Sequence, residues 1–240
     1  MFPIATAVPY RYPPFVTWSL IGVNVLVFLF QISLPPAAQA AFIHEFALVP
    51  ARYAQHAGAL DYFPFLSNIF LHGGWLHILA NMWTLYLFGP AVEDRLGKGR
   101  FLLFYLGCGI GASVAHVLVN PASAIPALGA SGAIAGVLGA YMRLFPLARV
   151  IVLVPILFFP YFFELPAMLF AGLWFLIQLG SGVGAIFADP NAGGVAWWAH
   201  IGGFAFGWLV MPLLHRPRHR HRPYARDEGV FGFLPTGHRR

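Results

Sequence analysis

The sequence predicts an all-α, polytopic membrane protein: a bundle of six transmembrane helices. Composition is the first reason. Of 240 residues, 59% are hydrophobic and only 9% charged, with a mean hydropathy of +0.73. A soluble domain carries roughly 25% charged residues, so this chain cannot cover itself with an ordinary hydrated surface. The second reason is pattern, because apolar runs near the length that crosses a bilayer, about 20 residues, recur between Pro, Gly and basic punctuation. The third is where the basic residues fall. The expected division is a membrane domain over 1–214 and a basic, disordered cytoplasmic tail over 215–240.

The first span is PFVTWSLIGVNVLVFLFQISL, 14–34, stopped by Pro35-Pro36. The second runs over about 75–90 and is approached through the polar HGG at 72–74. The third, FLLFYLGCGIGASVAHVLV at 101–119, closes on Asn120-Pro121. The fourth starts at Ser131 and ends near Phe145-Pro146. Pro155 and Pro160 cut the apolar stretch 150–163, so the fifth helix is placed at 166–180. The sixth runs over 198–214. Between the first two spans, the aromatic segment 35–71 is expected to rest in the membrane interface as an amphipathic element. Ala38-Gln39-Ala40 resembles a signal-peptide cleavage site, but the apolar segment before it is too long for an h-region.

Six spans put both termini on one side. With that side cytoplasmic, thirteen of the 14 basic residues lie inside and only Arg52 lies outside. This asymmetry follows the positive-inside rule. It explains the pI of 9.8 as topology and removes most of the case for nucleic acid, and the basic tail is expected to lie against anionic lipid headgroups. The expected location is a bacterial plasma membrane. Cys108, the single cysteine, excludes an intrachain disulfide.

All eight acids fall outside these spans, so the two membrane carboxylates of an aspartyl protease are missing, and no H-E-x-x-H zinc pattern occurs. No metal or cofactor is expected. The remaining polar groups are His77, Asn81, Ser131 and His200, with His72 and His116 read as structural. Spans two, four and six all enter from outside, and the first four residues lie in their opening turns. His77 and Asn81, four apart, share a helical face. A fourth span of fifteen residues rises about 22 Å, less than the roughly 30 Å hydrocarbon core. Ser131 therefore starts below the outer surface, in a recess open to water. Serine attack on a carbonyl needs a base, and His200 is the candidate. With no acid in the spans the arrangement reads as a dyad; Asp189 is the outside candidate for a third member. The Ser131 N–H, the Asn81 amide and the His77 ring can serve an oxyanion. Gly129 and Gly132 permit a tight turn and close substrate approach. Each group also has a plainer reading: Gly132, Gly136 and Gly139 make a helix-packing seam, and a lone His or Asn can be an interhelical bond.

These motifs resemble those of the rhomboid family of intramembrane serine proteases. HGGWLHILANMW at 72–83 is similar to the family's H-x-x-x-N motif, through His77 and Asn81. GASG at 129–132 matches G-x-S-G, and AHIGG at 199–203 matches A-H-x-x-G. AVEDRLGKGRFLLFY, 91–105, resembles the family's second inner loop. The resemblance covers about 15–214 and implies a six-helix rhomboid-like bundle, Ser131 as nucleophile and His200 as base. It implies cleavage of transmembrane protein substrates near the outer face without metal or cofactor, gated by span five and the glycine-bearing loop 181–197. The chain departs from some members at Ala135, where they place an aromatic beneath the histidine. Two rivals stand beside the protease: a non-catalytic relative that binds or escorts membrane helices, and a channel or transporter. Neither substrate identity nor oligomeric state is written in the chain.

Overall fold

The computed structural model describes residues 2–54, 62–156, 159–187 and 194–214. Asp61, Asp189, Gly193 and the tail 215–240 lie outside the described residues. Eight helices are described: α1 (Phe15–Ser33), α2 (Pro36–Phe46), α3 (Pro64–Ser67), α4 (Trp75–Leu96), α5 (Lys98–Val119), α6 (Ser131–Leu144), α7 (Ala167–Ile186) and α8 (Trp197–Leu214). Three strands, β1 (Phe2–Thr6), β2 (Arg149–Ile156) and β3 (Phe159–Pro166), form an antiparallel sheet in the order β1-β2-β3.

The sheet corrects the all-α expectation. The run 150–163 is indeed no helix, because of its two prolines, but it is rich in Val and Ile, which favour extended backbone. It folds back on itself, with Arg149 opposite Pro166 and Ile156 opposite Phe159. Pro155 and Pro160 face each other near the hairpin tip, where a missing N–H interrupts least of the ladder. β1 adds along β2 with a bulge at Ile4. β3 leads straight into α7, whose first N–H groups are taken by the preceding connection: Ala167 donates to the Ala148 carbonyl (2.7 Å) and Met168 to that of Pro146 (2.9 Å).

Four helices, α1, α5, α7 and α8, are by themselves long and apolar enough to cross a membrane. The other two expected spans differ for physical reasons. α4 continues past Pro90, where its end was expected, and carries Glu93, Asp94 and Arg95 in its last turns. α6 has 14 residues, about 21 Å of rise, and is the central element, packed on α4, α5, α7 and α8 with Gly132 to Tyr141 all buried. A helix enclosed by protein needs neither the length nor the lipid-facing surface of an outer one.

The buried face of α1 shows the same inversion: Thr17, Leu20, Asn24, Phe28 and Gln31 point inward, while Leu26 and Phe30 are exposed. Polar groups facing the bundle and apolar ones facing out is the arrangement a lipid environment favours. Glu93 accepts hydrogen bonds from the Val16 N–H (3.0 Å), the Thr17 N–H (2.8 Å) and the Thr17 hydroxyl (2.7 Å), so the carboxylate caps the start of α1 from another helix. Beyond it the chain turns at Gly97, whose φ of 79° suits glycine. These contacts and the sheet lie at one end of the bundle, with Arg95, Lys98, Arg143 and Arg149. Ser131 lies at the other.

α6 and α8 approach through glycine. A Cβ on Gly203 or Gly207 would overlap the carbonyl oxygen of Gly132 or Gly136, and one on Gly132 would meet the Ala112 Cβ of α5 at 2.6 Å. The expected packing seam is therefore present. The described part of segment 35–71 carries α2, a turn of 3₁₀ helix at Pro50–Ala54 and α3. Ala38–Ala40 is inside α2, whose residues are all partly or fully exposed.

Candidate active site

Residues 120–130 reach Ser131 without helix or strand, and their backbone groups need partners away from water. Segment 35–71 supplies them. Leu48 and Ala127 exchange N–H···O bonds of 2.9 and 2.8 Å, and the Gly129 N–H donates to the Asn68 carbonyl at 2.9 Å. Asn68 is tied in turn to α5, its Nδ2 donating to the Ser113 hydroxyl at 2.9 Å. Gly129 has φ +128°, a conformation L side chains rarely adopt, and turns the chain into α6. Ser131 is the first residue of that helix, so its N–H has no intrahelical partner.

The structure brings Ser131 and His200 together. His200 Nε2 lies 2.8 Å from Ser131 Oγ, and its Nδ1 lies 2.8 Å from Gln178 Oε1 on α7. An amide oxygen only accepts, so Nδ1 carries the ring proton and Nε2 keeps a lone pair that accepts the hydrogen bond of the serine hydroxyl. Both partners are half-buried rather than sealed. The aromatic absent at Ala135 is replaced from other helices: Trp174 of α7 lies tilted 5.8 Å from the His200 ring, and Trp197 meets it edge-on at 6.3 Å.

His77 and Asn81 start α4. The His77 ring packs on Gly129 so closely that a Cβ there would lie 2.8 Å from Cε1 and Nε2, and 3.6 Å from Ser131 Oγ. Its Nδ1 accepts weakly from the Gly73 N–H at 3.4 Å, which leaves the Nε2 edge as the proton-bearing one. Asn81 is buried, and its Nδ2 has no hydrogen-bond partner. A buried amide donor with nothing to donate to is costly unless a substrate group arrives. Gly132, expected to ease substrate approach, instead faces Ala112 and Ala199 inside the bundle.

His72 and His116 are hydrogen-bonded to neither Ser131 nor His200, whose ring nitrogens are taken by Ser131 and Gln178. The His72 backbone is clasped by the Gln31 side chain, which donates to its carbonyl at 2.7 Å and accepts from its N–H at 3.3 Å. Burial pushes the His72 imidazole down to about 4, so it is neutral and shapes the turn before α4. His116 is bonded through its carbonyl to Asn120. Gln178 was missed by sequence reasoning. Its signal was available: one amide in a 20-residue apolar helix, four residues after Trp174 and so on the same face.

Residues 59–217 match the Rhomboid domain. Over 218 residues, 87% of the chain, the sequence is 28% identical to mitochondrial rhomboid protein 1 of Saccharomyces cerevisiae, covering 57% of that protein. Over 202 residues, 80% of the chain, it is 31% identical to the human mitochondrial presenilin-associated rhomboid-like protein, covering 46% of it. An 82-residue stretch, 34% of the chain, is 40% identical to the putative rhomboid protease YdcA of Bacillus subtilis, covering 41% of that protein. The chain thus spans about half the length of these relatives. Those matched over most of the chain are mitochondrial, so the bacterial plasma membrane expected from the sequence has no support from them. A multi-pass membrane protein is what the apolar helices and the domain together establish. With a domain match over most of its length and three motifs at one end of its helix bundle, this chain belongs to the rhomboid family.

Proposed function

We propose that the protein is an intramembrane serine endopeptidase that hydrolyses peptide bonds of transmembrane substrates near the outer membrane face. The observation that carries this reading is the 2.8 Å contact between Ser131 Oγ and His200 Nε2, with Nδ1 already engaged. Relatives named as rhomboid proteases support it. In this reading α4 and α6 complete six crossings with the four long apolar helices, and residues 1–214 form the membrane domain.

His200 Nε2 accepts the Ser131 proton as Oγ attacks the scissile carbonyl carbon. The oxygen of the tetrahedral intermediate receives hydrogen bonds from the Ser131 N–H, Asn81 Nδ2 and the His77 ring. Collapse breaks the C–N bond, and the imidazolium returns its proton to the departing amine. Water, activated by the same His200, then hydrolyses the acyl-serine. These steps need no metal or cofactor. The test is cleavage of a labelled single-span substrate in liposomes by the wild type, Ser131→Ala and His200→Ala. Loss in both variants is expected, and undiminished cleavage by both would end the reading.

A further inference from the structure

We propose that Gln178 is a positioning residue for this chemistry: through its Oε1 it fixes the tautomer and ring plane of His200, standing where a hydrolase with a buried acid would place a carboxylate. The inference rests on the protease reading. An amide in a helix of mean hydropathy 1.7 is out of place unless something inside the bundle holds it. Gln178 is 5% exposed and turned inward, with its oxygen 2.8 Å from His200 Nδ1. Among the described acids, Glu93 is bonded to α1 and Glu164 to Arg149, and none is hydrogen-bonded to His200, whose ring partners are Ser131 and Gln178.

The alternative orientation of the same amide shows what the oxygen achieves. With its NH₂ toward the ring, Gln178 would donate to Nδ1, the proton would move to Nε2, and His200 could no longer accept from Ser131. With the oxygen inward, every imidazole that forms is the reactive tautomer. A neutral amide does this without placing a charge in the membrane. The ring is held on its other sides by Trp174 and Trp197, and Trp174 shares the Gln178 face of α7. Ser131 is on α6, His200 on α8 and Gln178 on α7, so the three-residue chain joins three helices.

The test compares the full chain with Gln178→Leu, Gln178→Met and Gln178→Glu in liposomes. It measures kcat and KM on a single-span substrate, the rate of fluorophosphonate labelling at Ser131, and the melting temperature in detergent. Leu and Met fill the volume but cannot accept; Glu keeps an acceptor oxygen. We expect kcat and labelling rate to fall about tenfold or more in both apolar variants, with KM changed less than about threefold, and Glu to recover most of the loss. Apolar variants labelling at the wild-type rate would overturn the proposal. So would a loss of labelling in Leu and Met that is matched by a fall in melting temperature, since the loss would then come from packing. A wild type that neither labels at Ser131 nor cleaves would instead refute the protease reading itself.

Discussion

Replacing Gly203 by Ala adds one methyl to the interface between α6 and α8. Built on the existing backbone, that methyl overlaps the Gly132 carbonyl oxygen and lies 2.8 Å from the carbonyl carbon. Carbon atoms pack at about 3.5–4.0 Å, so the two helices must separate by roughly 1 Å. Backbone cannot rotate aside as a long side chain can. Gly132 follows Ser131 directly, and Gly203 lies one helical turn after His200, so the separation is transmitted to the dyad almost undiminished. An Oγ–Nε2 distance of 2.8 Å then becomes about 3.8 Å, beyond hydrogen-bond range. We expect catalytic efficiency to fall about 100-fold and stability by about 1–3 kcal/mol. Gly22→Ala is the control, because nothing lies within 4 Å of a Cβ there. Substrate cleavage in liposomes and thermal unfolding in detergent read both effects. If Gly203→Ala cleaved at the wild-type rate, the seam would not be what sets the serine–histidine distance.

Two other substitutions probe the ends of the bundle. Gly129→Ala forces a side chain into φ +128° and places it 2.8 Å from the His77 ring; kcat should drop at least about tenfold, measured against KM on the same substrate, and an unaltered kcat would remove His77 from the oxyanion site. Glu93→Ala strips three hydrogen bonds from the start of α1, which should cost about 2–4 kcal/mol. A melting temperature unchanged in detergent would contradict that role, while the labelling rate of the folded fraction at Ser131 should stay as in the wild type.

What the sequence disclosed follows from what each signal depends on. Ser131, His200, His77 and Asn81 were legible because polar groups are rare in apolar spans and because alternating span direction gathers them at one end. The fifth helix was legible from two prolines that cannot sit inside it. The sheet was not, since a short apolar run without alternation reads alike as strand or broken helix; only the partners, β1 at the far N-terminus and β3 after the turn, settle it. α4 outran its expected end because Glu93, normally a stop signal for a span, is bonded to another helix. Gln178 is less conspicuous than an acid in the same helix would be, because a carboxylate is the expected partner of such a histidine. An amide carries the same acceptor without the charge that would have drawn attention to it.

The attachment of α7 at the sheet has a mechanical consequence. Its first residues are tied to Pro146 and Ala148, whereas Gln178 sits eleven residues further along, about 17 Å up the axis. A helix clamped at its foot moves as a lever, so a lean of only about 6° carries the amide close to 2 Å sideways. That is enough to part it from an imidazole 2.8 Å away. Drawing this helix outward to admit a guest would therefore also unlatch the base, and proton transfer would wait until the lever swings back.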